Sequence, residues 1–299
     1  MSSPLIIYVP GLLPKPEPRL HREALRRCLL AGVERIDADV AAAIVGRDDS
    51  FVIVPWTYGF YDLHRDIDLD RRAIEDVIAQ ALPSTGDIAE AASWKRRLAL
   101  WVYNLGDRLP FLIPHLANER VALHLRDLRR YVNNNDGIAD RIRQLLSEQL
   151  LAATQAERPI LLIGHSMGSV IAYDTLWQQT HSADRPVDIS LFLTMGSPLG
   201  QHYIQRRILG HDSVGKERFP SGIRRWKNLA AVGDLTAIDP KLMNDFGDMV
   251  SAGLLESLED DYLFNYFRLD GELNVHAEYG YLVNEKTART VTDWWRGFI

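Results

Sequence analysis

The sequence contains a single cysteine, Cys28, and no uninterrupted apolar run of the length that crosses a bilayer. One cysteine excludes an intramolecular disulfide and any zinc or iron–sulfur site built from several cysteines. The most apolar stretch, residues 98–117, contains Asp107, Arg108 and two prolines, whereas a membrane-spanning helix needs about 20 mainly apolar residues. Internal repeats and low-complexity tracts are also lacking, which excludes solenoids and propellers.

An excess of positive charge is lacking as well. The chain has 34 Lys and Arg against 40 Asp and Glu, a net charge of -6, which argues against general binding to nucleic-acid phosphates. The first 13 residues have no basic residue before their apolar run, and Pro10 and Gly11 interrupt that run. We therefore expect a first strand there rather than a signal peptide or an anchor, and a soluble, cytoplasmic protein.

What the sequence does have is enough apolar material for a large core. Hydrophobic residues make up 46% of the 299 positions, which suits one large domain or a core domain that carries an insertion. Short apolar runs, each followed closely by Pro or Gly, predict buried parallel strands at residues 5–9, 51–54, 160–163 and 189–194, with a weaker fifth at 228–232.

Helical patterns separate these strands. Residues 136–150 place Ile138, Ile142 and Leu146 on one stripe, as a helix on a sheet does. Strands that alternate with helices predict an α/β fold: a mostly parallel sheet with helices on both faces.

Residues 57–133 interrupt this alternation because they contain no convincing strand. We expect residues 1–56 and 134–299 to form the core and residues 57–133 to form a helical lid or cap. Residues 61–90 carry eight acids and three bases, whereas residues 91–133 carry eight bases and three acids. A solvated helical face is the simplest explanation, and contact with an anionic or amphipathic partner is the alternative. The aromatic group expected to line the lid consists of Trp94, Trp101, Tyr103 and Phe111.

The strongest chemical signal is a G-x-S-x-G motif formed by Gly164, Ser166 and Gly168. The bare motif is common, but here it follows the predicted strand 160–163 and precedes the helix-compatible run 169–177. That context predicts a sharp strand-to-helix turn with the serine hydroxyl at its tip. A helix N-terminus beside the hydroxyl would stabilise negative charge on a bound carbonyl oxygen.

A serine hydroxyl needs a base, and the base needs a third group that orients it. In this type of turn the partners follow the serine in the order acid, then histidine. His276 is our preferred base because it follows all the predicted strands, in a late loop able to return over the sheet. The other histidines after the serine are His181, His202 and His211.

Asp234 is the preferred acid because it follows the predicted strand 228–232 at the carboxyl end of the sheet, where loops assemble sites. Asp239 is second and Asp245 is a further competitor, whereas Asp188 precedes its strand.

Two backbone N–H groups are expected to bind the oxyanion. One belongs to Met167, directly after the serine. The other comes from Gly11 or Leu12 in the loop after the first strand, since Pro10 has no N–H.

These segments resemble the α/β-hydrolase superfamily on its lipase and esterase side. Residues 164–174, GHSMGSVIAYD, carry the resemblance. Residues 196–200, GSPLG, and the spacing of Trp226, Asn228 and Asp234 are similar to serine hydrolases of the GPI-inositol-deacylase-like and lipase-like groups. The resemblance covers most of residues 128–234 and small blocks at each end, and it does not extend to residues 57–126.

The resemblance implies a serine hydrolase in which the residues matching Asp234 and His276 complete a triad with Ser166. The first loop departs from the common His-Gly pattern, so the second oxyanion donor stays open. We expect cleavage of a small-molecule or lipid carboxylic ester, with no metal or organic cofactor. The alternatives are a thioesterase, amidase or acyltransferase with the same machinery, or a non-catalytic lipid- or protein-binding module. Peripheral membrane contact also stays open.

Overall fold

The computed structural model describes residues 3–108, 119–182 and 187–298. Its centre is a sheet of six parallel strands in the order β2-β1-β3-β4-β5-β6. The strands are β1 (Leu5–Val9), β2 (Phe51–Ile53), β3 (Ile160–His165), β4 (Ile189–Met195), β5 (Ile223–Ala231) and β6 (Ser257–Leu263). A separate antiparallel pair consists of β7 (Arg268–Leu269) and β8 (Glu272–Leu273). The predicted parallel α/β sheet is confirmed.

Two differences from the predicted strands have physical causes. β5 begins five residues before the expected 228–232, because its first half carries Arg224, Arg225 and Lys227 and therefore lacks an apolar run. β6 was not predicted at all. It lies at the edge of the sheet, its sequence SLEDDYL is mostly polar, and only Leu258 and Leu263 are buried.

Helices cover both faces of the sheet. They are α1 (Pro18–Ile36), α2 (Ala38–Val45), α3 (Trp56–Tyr61), α4 (Asp68–Gln80), α5 (Thr85–Ala91), α6 (Trp94–Arg108), α7 (Glu119–Val132), α8 (Ile138–Gln155), α9 (Met167–Ser182), α10 (His202–Gln205), α11 (Met243–Phe246), α12 (Asp248–Ser251), α13 (Glu278–Val283) and α14 (Glu285–Arg296). Within the described ranges, no helix combines the length and apolar character needed to cross a membrane.

Alternating side chains of each strand enter two separate cores. Ile6 and Tyr8 of β1 pack with α1 and α14, whereas Ile7 and Val9 pack with α8 and α9. This alternation follows from the two-residue period of a strand and explains why β1 is buried throughout. The helix predicted at 136–150 is α8, which extends further, to Gln155.

The described part of residues 57–133 is helical. α4 buries Ala73, Ile74 and Val77 in the same core as α1 and α14, so it belongs to the helical layer on that face. α6 contacts α10, and α7 contacts α8. Phe111 of the predicted aromatic group lies outside the described residues.

Candidate active site

Ser166 lies in the turn between β3 and α9. Its φ of 53° is in the left-handed region that residues other than glycine seldom adopt. The turn is held from both sides: the Ser166 N–H donates to the Met195 carbonyl at 2.9 Å, and the Ser169 N–H donates to the Ser166 carbonyl at 3.0 Å. The left-handed bend and these two bonds direct the serine side chain away from the strand.

The two glycines of the motif are required by close approach. A Cβ at Gly168 would lie 2.1 Å from the Val9 carbonyl oxygen, and one at Gly164 would lie 2.6 Å from the Ser169 Cα. Real Cβ atoms do not approach backbone that closely, so α9 can pack against β1 and β3 only with glycine at both positions.

The three side chains singled out from the sequence meet at the carboxyl edge of the sheet. The distance from the Ser166 Oγ to the His276 Nε2 is 2.9 Å, and that from the His276 Nδ1 to the Asp234 Oδ2 is 2.8 Å. Ser166 and Asp234 are buried, while the His276 side chain is 31% exposed. Solvent therefore reaches this group from the side of the imidazole.

The Asp234 carboxylate is surrounded by donors. Besides His276, the Tyr281 hydroxyl donates to Oδ2 at 2.8 Å and the Thr236 N–H donates to Oδ1 at 2.8 Å. Burial alone would raise the pKa of Asp234, but the charge of His276 and these hydrogen bonds outweigh it and hold the pKa below its ordinary value. Asp234 is therefore an anion at neutral pH.

The competing residues are placed elsewhere. The Asp239 carboxylate accepts a long bond of 3.4 Å from the Lys241 N–H, and His181 pairs with Glu217 at 3.2 Å. His211 bonds to the Ile208 carbonyl at 3.0 Å. In the described structure His276 bonds to Asp234 and not to Asp239.

The expected oxyanion donors lie beside Ser166. Met167 is the first residue of α9, where an N–H has no helical carbonyl to bind. A Cβ at Gly11 would lie 2.7 Å from the Ser166 Cβ, so the first loop runs directly against the serine. The N–H of Leu13, two residues after Gly11, donates to the Tyr61 hydroxyl at 3.0 Å.

Gly196 makes room for the pair of His276 and Asp234. Its φ is 55°, and a Cβ there would lie 2.9 Å from the Asp234 Oδ2 and 3.1 Å from the His276 Nδ1. The segment 196–200, quoted above only for its resemblance, thus has a steric reason for its first glycine.

His165 holds the backbone of the His276 loop. Its Nε2 donates to the His276 carbonyl at 2.9 Å, and the two rings are 4.8 Å apart. Burial, reinforced by His276, lowers the pKa of His165 to about 3. His165 is therefore neutral and cannot exchange places with His276 as a base at neutral pH.

A buried charged cluster lies behind this loop, around Glu278. Its carboxylate accepts hydrogen bonds from the Lys15 Nζ at 2.9 Å, the His21 Nε2 at 2.9 Å and the Tyr8 hydroxyl at 3.1 Å. Burial would raise the pKa of Glu278, but Lys15 and His21 hold it well below its ordinary value. The cluster ties β1 and α1 to the start of α13, two residues after His276.

A cavity of about 510 Å³ lies between α3 and α7. Its lining includes Tyr61 and three cations, Arg126, Arg129 and Arg130, but neither Ser166 nor His276. Since Tyr61 bonds to the N–H of Leu13, the cavity borders the first loop and not the serine itself.

Residues 82–212 match the family described as PGAP1-like alpha/beta domain. This match confirms the resemblance to α/β hydrolases drawn from residues 164–174, and to their GPI-inositol-deacylase-like members drawn from residues 196–200 and the spacing of Trp226, Asn228 and Asp234. Searches among curated proteins and among solved structures found no match.

The PGAP1-like match covers a little under half of the chain. It includes β3, Ser166, α9 and β4, and it ends before Asp234 and His276. It begins at residue 82, so it also covers the second part of the segment 57–126, to which the resemblance was not expected to extend. The match therefore supports the fold and the serine turn. The positions of Asp234 and His276 are known only from the hydrogen bonds described above.

Sequence reasoning missed the residues that support this group. Tyr281, His165 and Glu278 each bond to it or to its loop, but nothing in the spacing of these residues indicates a partner. Only His165 and Gly196 lie inside segments that the sequence had already singled out.

Proposed function

We propose that the protein is a serine hydrolase that cleaves a carboxylic ester. The observation that carries the proposal is the continuous chain of hydrogen bonds from the Ser166 Oγ through the His276 imidazole to the Asp234 carboxylate, at 2.9 and 2.8 Å. The PGAP1-like match supports the same reaction class at the level of the fold. Fold alone does not determine activity, so the residues carry the argument.

In this mechanism the Ser166 Oγ attacks the ester carbonyl carbon while its proton passes to the His276 Nε2. The tetrahedral intermediate collapses when the same Nε2–H protonates the leaving alcohol, which leaves Ser166 acylated. A water molecule, deprotonated by His276, then releases the acid. Asp234 accepts the Nδ1–H throughout, so it orients the ring and stabilises the imidazolium.

The developing oxyanion needs donors that are already in position. We assign this role to the Met167 N–H and to the N–H of Gly11 or Leu12, because Met167 opens α9 and the first loop lies against Ser166. Each such donor is worth roughly 10² to 10³ in rate.

Of the predicted lid, residues 57–133, we propose α6 as the cap over this group, because α4 packs in the helical layer beside α1 and α14. α6 supports this assignment because Asp107 accepts the His202 N–H after β4 and Arg96 donates to the Leu273 carbonyl, three residues before His276. An apolar cap would favour esters with an apolar acyl or alcohol group. A thioesterase, an amidase or an acyltransferase would use the same three side chains.

An activity-based probe tests the proposal. A fluorophosphonate should label the wild type at Ser166, and Ser166→Ala should abolish labelling and lower ester hydrolysis by about 10³-fold or more. Ser251→Ala, an exposed serine on α12, is the matched control and should keep both.

Circular dichroism and thermal unfolding should be the same for both variants, since Ser166→Ala removes only a hydroxyl. No labelling of a folded wild type would overturn the proposal and favour a binding module. Panels of esters, thioesters and amides of varied chain length then measure the substrate preference.

A further inference from the structure

α6 presents three large apolar side chains to solvent. Trp94, Leu98 and Trp101 are spaced four and three residues apart, so they form one stripe along the helix, and they are 69%, 52% and 64% exposed. The chain has seven tryptophans, and the other five are buried or half-buried. Exposed tryptophan is thus confined to this one face. A contiguous apolar stripe of this kind marks an interaction surface.

The helix that carries the stripe lies close to the loop of His276. Arg96 of α6 donates to the Leu273 carbonyl at 2.9 Å, three residues before His276. Asp107, near the other end of α6, accepts the N–H groups of His202 and Tyr203 at 2.8 and 2.9 Å. Leu273 belongs to β8, and His202 and Tyr203 begin α10, which follows β4, so α6 lies near the edge of the sheet that carries the serine.

The charge around the stripe is positive. Lys95 and Arg97 are exposed on α6, whereas Asp107 is occupied by its bonds to α10. Residues 91–133 hold eight bases and three acids, in a chain whose net charge is -6. On α7, which lies near the first loop at the same edge, Arg126 and Arg129 are exposed too. A basic surface on an acidic protein selects an anionic partner.

We propose that the exposed face of α6 docks the protein onto an anionic lipid bilayer. Trp94, Leu98 and Trp101 enter the interfacial layer, and Lys95 and Arg97 bind the headgroups. Tryptophan is the side chain that prefers the membrane–water boundary, and an apolar stripe flanked by cations is typical of helices that lie in that plane. A soluble protein partner could also use exposed tryptophan, so binding to vesicles that depends on anionic lipid distinguishes the bilayer from such a partner.

This geometry also specifies the substrate class, a step that rests on the proposed function. With α6 on the surface, the loop that carries His276 lies beside the layer from which a membrane lipid ester would enter. Hydrolysis of a lipid presented in vesicles should then depend on the solvent-exposed Trp94 and Trp101, whereas hydrolysis of a short water-soluble ester should not.

Vesicle binding measures the docking directly. The wild type should co-sediment with vesicles of phosphatidylcholine and phosphatidylserine much more than with phosphatidylcholine alone. Trp94→Ser with Trp101→Ser should weaken binding at least about tenfold, because two large aromatic surfaces are lost. Lys95→Glu with Arg97→Glu should remove the preference for phosphatidylserine, and added salt should do the same to the wild type.

Matched controls use exposed apolar residues elsewhere. Leu69 on α4 and Val214 are 60% and 83% exposed, and Leu69→Ser with Val214→Ser should bind vesicles as the wild type does. Brominated lipids should quench the tryptophan fluorescence of the wild type and of this control. They should not quench the variant that lacks Trp94 and Trp101.

Equal binding by the wild type and the Trp94/Trp101 variant would overturn the proposal. So would a wild-type dimer that this variant abolishes, because the stripe would then be an interface between two copies. Ser166→Ala should bind vesicles as the wild type does, because the serine is not part of the α6 surface. Vesicle binding therefore tests docking whether or not the protein cleaves esters. The two proposals can therefore fail separately.

Discussion

Ser166 has a strained backbone conformation that hydrogen bonds and close packing of the neighbouring backbone hold in place. A φ of 53° at a serine costs of order 1 kcal/mol or more, and it persists because the surrounding backbone leaves no other path. The N–H bond to Met195 and the contacts at Gly164 and Gly168 impose the turn. Strain of this kind keeps a hydroxyl at a defined point, which is what nucleophilic attack requires.

Tyr281 provides a test of how Asp234 is held. Its hydroxyl donates to the Asp234 Oδ2 and accepts the N–H of Ala231 at 2.7 Å. Burial and the nearby carboxylate raise the pKa of Tyr281 well above its ordinary value, so the hydroxyl keeps its proton. Tyr281 is thus a positioning residue for the triad acid.

Tyr281→Phe should lower kcat about tenfold with little change in KM. The Asp234 carboxylate loses one donor, so its pKa should rise, and the acidic limb of the kcat/KM profile should move to higher pH. Steady-state kinetics between pH 4 and pH 9 measure both effects.

Tyr279→Phe is the matched control, since the buried Tyr279 hydroxyl has no hydrogen-bond partner among the described residues. It should keep the profile of the wild type. If both phenylalanine variants behave alike, Tyr281 has no specific role.

α7 and α9 are joined by a buried carboxyl group. Asp174 on α9 accepts a hydrogen bond from the Tyr131 hydroxyl of α7 at 3.0 Å and another from the Leu209 N–H at 2.8 Å. Burial raises the pKa of Asp174 to about 6, despite the Leu209 bond and the charge of Arg143. Asp174 therefore titrates within a range where stability can be measured.

The sign of the effect follows from proton binding. Between the pKa of 3.8 expected in the unfolded chain and about 6 in the folded protein, the folded state binds more protons. Stability contributed by this group is therefore lost as pH rises through that window. The free energy of unfolding of Asp174→Asn, measured relative to the wild type, should therefore increase by roughly 2 to 3 kcal/mol when the pH is raised from 4 to 7.

Urea unfolding at several pH values measures this difference. Asp293→Asn, on the exposed side of α14, is the control and should show no such gain. A constant difference between Asp174→Asn and the wild type at all pH values would show that Asp174 titrates normally.

β6 is a strand that depends on pairing with its neighbour and not on its own sequence pattern. Taken alone, SLEDDYL has no apolar run, yet it pairs with β5 over seven positions. Asp260 then accepts hydrogen bonds from Asn228 Nδ2 at 3.0 Å and from the Leu242 N–H at 3.0 Å. The strand forms because β5 offers unpaired backbone groups at its edge, and the sequence of residues 257–263 alone does not predict this pairing.

Glu278 joins distant parts of the molecule. Its partners Tyr8, Lys15 and His21 lie more than 250 residues earlier in the chain. The cluster therefore links the first strand and helix of the chain to α13 and supports the loop that carries His276. Removal of the Glu278 carboxylate leaves the half-buried Lys15 without its counter-ion.

Glu278→Gln should lower the free energy of unfolding by about 3 to 5 kcal/mol at neutral pH. Because the folded-state pKa of Glu278 is depressed, its stabilisation is complete above the unfolded pKa near 4.5 and is lost as pH falls. The difference from the wild type should therefore shrink below about pH 4.5. Chemical unfolding from pH 3.5 to pH 7.5 measures it.

Glu285→Gln breaks an exposed pair with Arg289 on α14 and should change stability by less than about 1 kcal/mol. An equal loss from both variants would mean that the Glu278 cluster contributes no more than a surface pair.

The sequence by itself determined the local features of this protein: four of the strands, the stripe of α8 and the turn at Ser166. Each depends on side-chain periodicity or on glycine within a few residues, so neighbours in the chain are sufficient. It also restricted the partners of Ser166 to a short set, because chain order limits the choice.

Tertiary structure alone decided the rest. The contact of His276 with Asp234 rather than Asp239, the donors from Tyr281 and Thr236, and the Glu278 cluster join segments that only the parallel sheet brings to one edge. Hydrogen bonds and desolvation act over a few ångströms in space, whatever the separation along the chain. The exposed stripe of α6 belongs here as well, because helical spacing places three apolar residues on one face, but only packing decides whether that face is covered.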